Sequence, residues 1–180
     1  MASATDRHCP NCNFLLPKAT RPRAKQQGSV ETPPDLFAAL SSRFDYSWDL
    51  AAEDHNSKCE FYFSKEEDSL KQDWVNVCPS AMGWGWLNPE FGFMKPWAAK
   101  CAEEMQRGAQ VTMLAQASVG SRWYRDHVQG FAQVWNLHPR VQFVGHPIVF
   151  PKDLILCVYK YGIDPCVRSF NWKDGVFTYG

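Results

Sequence analysis

Between Trp84 and Gly130 the apolar period of the chain switches three times, and this rhythm constrains the fold more than any other feature. Trp84-Gly85-Trp86-Leu87 is a short apolar run stopped by Asn88-Pro89. Pro96 then stands where a first helical turn tolerates it, and Trp97, Lys100, Cys101, Glu104 and Met105 continue a helical pattern that Gly108 can terminate. Val111 to Leu114 is a second apolar run, followed by a helical stretch from Ser121 to Val128 that Gly130 ends. Strands joined through helices become parallel neighbours in a sheet.

The flanking segments extend this pattern. Thr32-Pro33-Pro34 offers an N-cap followed by proline in the first turn, and Leu36, Phe37, Leu40 and Phe44 recur at helical spacing. Asp45 to Leu50 reads as a strand running into the polar turn Ala51–Asn56, Cys59 to Phe63 as a second strand, and Glu66 to Trp74 as a charged connection. From Val134 onward the pattern turns to strands, at Val141–Val144, Ile148–Phe150 and Leu154–Tyr159, and Asn171–Gly175 reads as a turn between two last extended segments. The expected fold class is α/β, a mostly parallel sheet closed by a C-terminal antiparallel hairpin.

Composition bounds the function. With 45% hydrophobic and 14% aromatic residues there is ample material for a core, and 180 residues fit one domain. Residues 1–30 are rich in proline, lysine, arginine and glutamine without periodicity, and are expected to be a flexible basic arm ahead of a single domain over 31–180. Nineteen basic and nineteen acidic residues cancel, so a nucleic-acid partner would have to be met by a local basic face. The densest basic stretch is Lys18, Arg21, Arg23 and Lys25; Arg122 and Arg125 beside Trp123 could act similarly from a helix.

Seven cysteines without framework spacing, no leader-like apolar run and no apolar stretch near the ~20 residues of a membrane helix lead us to expect a cytoplasmic protein that does not contact membrane. His8-Cys9-Pro10-Asn11-Cys12 contains a zinc-type pair, but zinc needs four ligands and no second pair exists, so Cys9 and Cys12 are weak candidates and no metal is expected.

Asn88-Pro89-Glu90-Phe91 carries the most chemical information. Following a strand, it would lie at the carboxyl edge of a sheet, where open α/β folds bind ligands. The exocyclic amine of an aromatic base is a poor nucleophile because its lone pair is delocalised into the ring. Two acceptors aimed at its N–H bonds, an asparagine oxygen and a nearby backbone carbonyl, favour the tetrahedral form that can attack, and a following aromatic ring can stack on an extruded base. Asn-Pro on its own is also an ordinary turn dipeptide.

The order in which further elements accompany this tetrad resembles the phage-encoded DNA N-6-adenine methyltransferase family. These elements are Thr32-Pro33-Pro34-Asp35-Leu36-Phe37, Trp48-Asp49-Leu50-Ala51-Ala52, Asn56-Ser57-Lys58-Cys59 with Tyr62, Asp68-Ser69-Leu70, Asp73-Trp74 and Trp86 to Phe91. Leu114, the segment Ser121–Tyr124 and a final β-ribbon over Val141–Phe150 extend the likeness, which runs from about residue 31 to about residue 160.

The resemblance implies a Rossmann-like methyltransferase fold, S-adenosylmethionine as cofactor and adenine in DNA as substrate, in a bacterial host cell. It implies catalytic roles for Asn88, Pro89, Glu90 and Phe91. Thr32 and Pro33 would lie near the methionine end of the cofactor, and Asp49, Ala51 and Ala52 would form the turn after the first strand. Asp68 and Asp73 are candidates for the ribose hydroxyls and the adenine amino group, with Trp74 beside the ring; which acid does which is open. A solvated acidic surface is the alternative for both. Where the family has a second proline this chain has Glu90, which frees a backbone torsion and adds a carboxylate. That departure leaves room for a weakly active or silent DNA-binding relative, and the same tetrad chemistry also suits RNA or a protein amide.

Overall fold

The computed structural model describes residues 30–77 and 83–178. In chain order the elements are α1 (Pro34–Ser41), β1 (Tyr46–Asp49), β2 (Phe61–Tyr62), α2 (Trp74–Val77), β3 (Trp84–Leu87), α3 (Met94–Gln106), β4 (Val111–Gln116), α4 (Arg122–His127), β5 (Gln133–His138), β6 (Leu154–Tyr159), β7 (Val167–Asn171) and β8 (Val176–Thr178). The strands form one sheet in the order β2-β1-β3-β4-β6-β5-β7-β8. No helix among the described residues is long and apolar enough to cross a membrane.

The α/β class and the C-terminal antiparallel hairpin, β7 with β8, match the sequence reading. The sheet itself is mixed rather than mostly parallel. Pairings β2–β1, β1–β3, β3–β4 and β5–β7 are parallel, while β4–β6, β5–β6 and β7–β8 are antiparallel. The cause is β6, which returns against β5 and inserts between it and β4. All six side chains of β6 are buried, with Ile155, Cys157 and Tyr159 in one core and Leu154, Leu156 and Val158 in the other. A strand covered on both faces reads as a continuous apolar run, as this one does.

Two cores therefore flank the sheet. One packs α3 (Ala98, Cys101, Ala102, Met105) and Tyr124 of α4 against Trp48, Leu87, Met113 and Val134. The other packs Leu36 and Leu40 of α1 with Phe44, Trp86, Trp135 and Phe143. Within the second, Tyr46 reaches across β3 to Thr112, hydroxyl to hydroxyl at 2.7 Å. Gly83 enters β3 at φ 113°, where a Cβ would lie 2.2 Å from the Asp45 carbonyl, so only glycine fits.

The ribbon expected over Val141–Phe150 is a loop, the long connection between β5 and β6. Val141 and Phe143 do alternate inward, but Gly145 adopts φ 77° and Pro147 has no N–H to offer a ladder. Its strand-like pairing reduces to a single bridge between Val144 and Glu31. Thr32 does not cap α1 either: the N-cap is Pro33, without a side-chain cap, because the Thr32 hydroxyl is engaged elsewhere.

Candidate active site

The chain leaves β1 toward β2 on one side and enters β3 on the other before moving on to β4. The strand order therefore reverses between β1 and β3, and the crevice outside their carboxyl ends is where such sheets accept ligands. Asp49 ends β1, Asn88 follows β3, and the two strands are in register there, Asp49 opposite Trp86.

Asn88 is held firmly. Its Nδ2 donates to the Val30 carbonyl at 2.8 Å and to the Thr32 Oγ1 at 3.0 Å. A backbone carbonyl only accepts, so the amide orientation is determined by its partners. The other end, Oδ1, is buried and has no hydrogen-bond partner among the described residues. An orphaned buried acceptor costs about 1–3 kcal/mol, a cost that a ligand N–H would remove.

Asp49 organises the neighbouring loop. It is buried, its Oδ1 accepting from the Ala51 N–H at 3.3 Å and its Oδ2 from the Lys58 N–H at 3.0 Å. Burial pushes its carboxyl up to about 6, opposed by those two N–H groups. The loop is closed further by Ala52, whose N–H donates to the Phe63 carbonyl at 3.1 Å. Lys58 turns its ammonium to Glu31 at 3.0 Å, tying this loop to the segment that holds Asn88. Thr32, Pro33, Asp49, Ala51, Ala52 and Asn88 thus meet at one edge. Lys58, which completes the cluster, belongs to the Asn56–Cys59 element of the resemblance, whereas Val30 and Glu31 carry no local signal in the sequence, since their roles rest on a backbone carbonyl and on a contact between distant segments.

In the rest of the tetrad, Pro89 is buried and Glu90 exposed. Glu90 has φ −57°, within the range that proline imposes, so the loop keeps a proline-like shape at this position. Phe91 is half-buried, its ring 6.0 Å from Phe143 and 5.6 Å from Phe150. These two partners come from the β5–β6 loop, and sequence reading assigned them only to a ribbon. Beyond Phe91, a groove of about 460 Å³ runs past Phe93, Lys95 and Pro96 to Trp123.

The remaining candidates are placed apart. Asp73 pairs with Arg107 at 2.7 Å and accepts from the Asn76 N–H at 3.2 Å. Arg107 follows the C-terminus of α3, a 13-residue helix and so ~20 Å long, whose N-terminus is the end near Asn88. Trp74 is fully buried, its Nε1 donating to the Ser69 carbonyl at 2.9 Å and its ring facing the Lys100 ammonium at 5.5 Å. Asp73 thus lies at the C-terminal end of α3, and Trp74 packs against the middle of that helix. Asp68 adopts φ 50° and pairs with the exposed Lys71 at 2.7 Å. Arg122 and Arg125 are exposed on α4, Arg125 paired with Asp126 at 2.7 Å. Arg21, Arg23, Lys25, Cys9 and Cys12 lie outside the described residues, and among the described residues no cluster of histidine, cysteine or acidic side chains could hold a metal.

The sequence model of one family, described as DNA N-6-adenine-methyltransferase (Dam), matches residues 19–149. A DNA N-6-adenine-methyltransferase of Escherichia phage T1 is 30% identical over 104 residues, which cover 57% of this chain and 42% of that protein. The chain therefore spans under half the length of this relative.

Proposed function

The chain belongs to the DNA N-6-adenine-methyltransferase family, and on that premise we propose that its crevice transfers the methyl group of S-adenosylmethionine to the exocyclic amine of adenine in DNA. The observation that carries this reading is the buried, unpartnered Oδ1 of Asn88, an acceptor fixed in place by Val30 and Thr32.

The bound cofactor would supply an electrophilic methyl group on a sulfonium. Its site is assigned to Thr32, Pro33, Asp49, Ala51 and Ala52, with Asp68 as the remaining acidic candidate. The residues fit: Asp49 is a buried carboxylate beside the crevice and suits a cationic ligand, while two alanines put no bulk where a backbone must be approached closely. The parallel run β2-β1-β3-β4, with its reversal at this crevice, supports a Rossmann-like reading of the sheet.

The chain's own contribution is to activate the amine. Asn88 Oδ1 and the Pro89 carbonyl accept its two N–H bonds, which draws the lone pair out of conjugation as the nitrogen becomes tetrahedral. Phe91, backed by Phe143 and Phe150, offers a ring face to an adenine taken out of the stack. Burial of this edge keeps water from competing for the acceptors. Arg122 and the basic residues Arg21, Arg23 and Lys25 are assigned to DNA phosphates, which would steepen the salt dependence of binding by ~0.9 per contact.

The test is methyl transfer from labelled S-adenosylmethionine to unmodified DNA, with RNA and protein as competing acceptors. Label appearing as N6-methyladenine in DNA is expected. Cofactor binding without transfer, or transfer to RNA or protein in preference, would overturn the reading.

A further inference from the structure

The β5–β6 loop leaves the same edge of the sheet as Asn88, because β5 runs parallel to β4 and β6 returns from that edge, Leu154 opposite Gln116. It is a braced structure. The Val144 N–H donates to the Glu31 carbonyl at 3.1 Å, the His146 N–H to the Phe143 carbonyl at 3.1 Å, and the Phe150 N–H to the Val141 carbonyl at 2.7 Å. The Gln142 side chain donates to the His146 carbonyl at 2.9 Å. Phe143 and Phe150 lie 5.3 Å apart and clasp Phe91 of the tetrad.

Beyond this base the tip turns apolar side chains outward: Ile148 is 69% exposed, Val149 49% and Val144 43%. Exposing branched aliphatic residues on a braced loop gains nothing for folding, since their burial is worth about 1.5–3 kcal/mol each. Between Pro139 and Lys152 the loop carries no acidic residue; at its base the exposed Arg140 pairs with Asp153 at 2.9 Å, and the exposed Lys152 ammonium donates to the Gln116 side chain at 3.1 Å.

We propose that this tip, Pro147-Ile148-Val149, is a wedge that enters the base stack of duplex DNA beside the target adenine and holds open the gap left when that base moves to Asn88 and Phe91. The proposal rests on the transferase reading of the site for the identity of the base. Its own support is the braced apolar tip, the exposed Lys152 beside it as a cation suited to a phosphate, and the direct packing of the loop base on Phe91. Apolar side chains inserted between base steps unstack them, and an aliphatic wedge has the size for this task. Because Phe143 and Phe150 touch Phe91, seating the wedge also positions the ring on which the extruded adenine stacks.

The experiment uses the full chain and an Ile148→Ser/Val149→Ser double variant, checked for an unchanged melting temperature. The first readout needs no turnover: fluorescence of a short duplex in which 2-aminopurine replaces each adenine of one strand. The native protein is expected to raise the fluorescence by unstacking and the variant to leave it near that of free duplex. The second compares methyl transfer to duplex and to single-stranded DNA, with the variant slower by about tenfold on duplex and unchanged on single strands. If the native protein leaves the fluorescence unchanged, if the variant raises it equally, or if the variant loses rate on both substrates alike, the wedge is refuted. Unstacking that depends on the wedge but is accompanied by no methyl transfer would uphold the wedge and refute the transferase reading alone.

Discussion

Asn88 and Thr32, 56 residues apart, are joined side chain to side chain at 3.0 Å, so that the loop after β3 and the segment before α1 hold one amide between them. The consequence is directional. With both N–H bonds of Asn88 committed to Thr32 and Val30, its oxygen faces the other way, buried and met by no donor among the described residues. The threonine hydroxyl thus holds Asn88, and α1 begins without a side-chain cap.

Thr32→Val keeps the shape of the side chain and removes the acceptor. We expect a small loss of stability, ~1 kcal/mol, and a larger fall in the rate of methyl transfer, because Asn88 then retains only the Val30 anchor. Thermal melting and single-turnover rates measured together check this. A variant that loses stability but transfers at the native rate would show that Thr32 merely packs.

Asp49 gives the fold a pH signature. Burial raises its carboxyl from 3.8 to about 6, so the folded state holds the proton more tightly than the unfolded state. Its stabilising contribution is complete below about pH 4 and is lost as pH rises through about 6. The full span corresponds to an order of 3 kcal/mol. Denaturant titrations should show stability from this group falling across that window, and Asp49→Asn should remove the slope. A slope in the native protein that persists in the variant would assign it to another group.

Glu90→Pro tests the departure in the tetrad. The native φ of −57° already suits proline, and the carbonyl that accepts from the Phe93 N–H at 3.0 Å is retained. Restricting the unfolded chain should stabilise the protein by roughly 0.4–1 kcal/mol, and a stiffer acceptor loop should raise turnover. A lowered melting temperature would mean that the loop needs the freedom that Glu90 allows.

Glu104 tests the framework apart from the chemistry. It is fully buried and is met by Lys100, by Arg107 at 3.0 Å and by the Val75 N–H at 3.4 Å. Glu104→Ala breaks this group from one side, a change typically costing about 3–5 kcal/mol. The denaturation midpoint should fall sharply while the cofactor affinity of the remaining folded protein is unchanged. A midpoint near the native one would show that the network is solvated.

Legibility in the sequence followed how local each signal was. β3 and α3 were readable because an apolar run, an Asn-Pro stop and a proline in the first helical turn sit within one short stretch. The insertion of β6 between β4 and β5 was not, since an apolar run records burial but not which strands flank it. Val141–Phe150 alternates like a strand at its start, yet Gly145 and Pro147 turn it into a loop. Asp73-Trp74 shows the limit for a site: a tryptophan stacked on a ligand and one sealed in a core look alike as letters, and here the indole is sealed. The acceptor at Asn88 was legible as a residue type. What holds it, Thr32 and a carbonyl at Val30, depends on a contact between distant segments that no local pattern encodes.

The most direct measurement is the single-turnover rate of methyl transfer to adenine in DNA by Asn88→Ala, with cofactor affinity measured by calorimetry on the same preparation. Losing one well-placed acceptor in a closed site is typically worth ~3 kcal/mol, on the order of a hundredfold in rate. The account predicts that loss with cofactor affinity unchanged and DNA affinity little altered, because the acceptor acts as the amine becomes tetrahedral. Transfer by Asn88→Ala at the native rate would contradict it and reduce Asn88 to Phe91 to a turn.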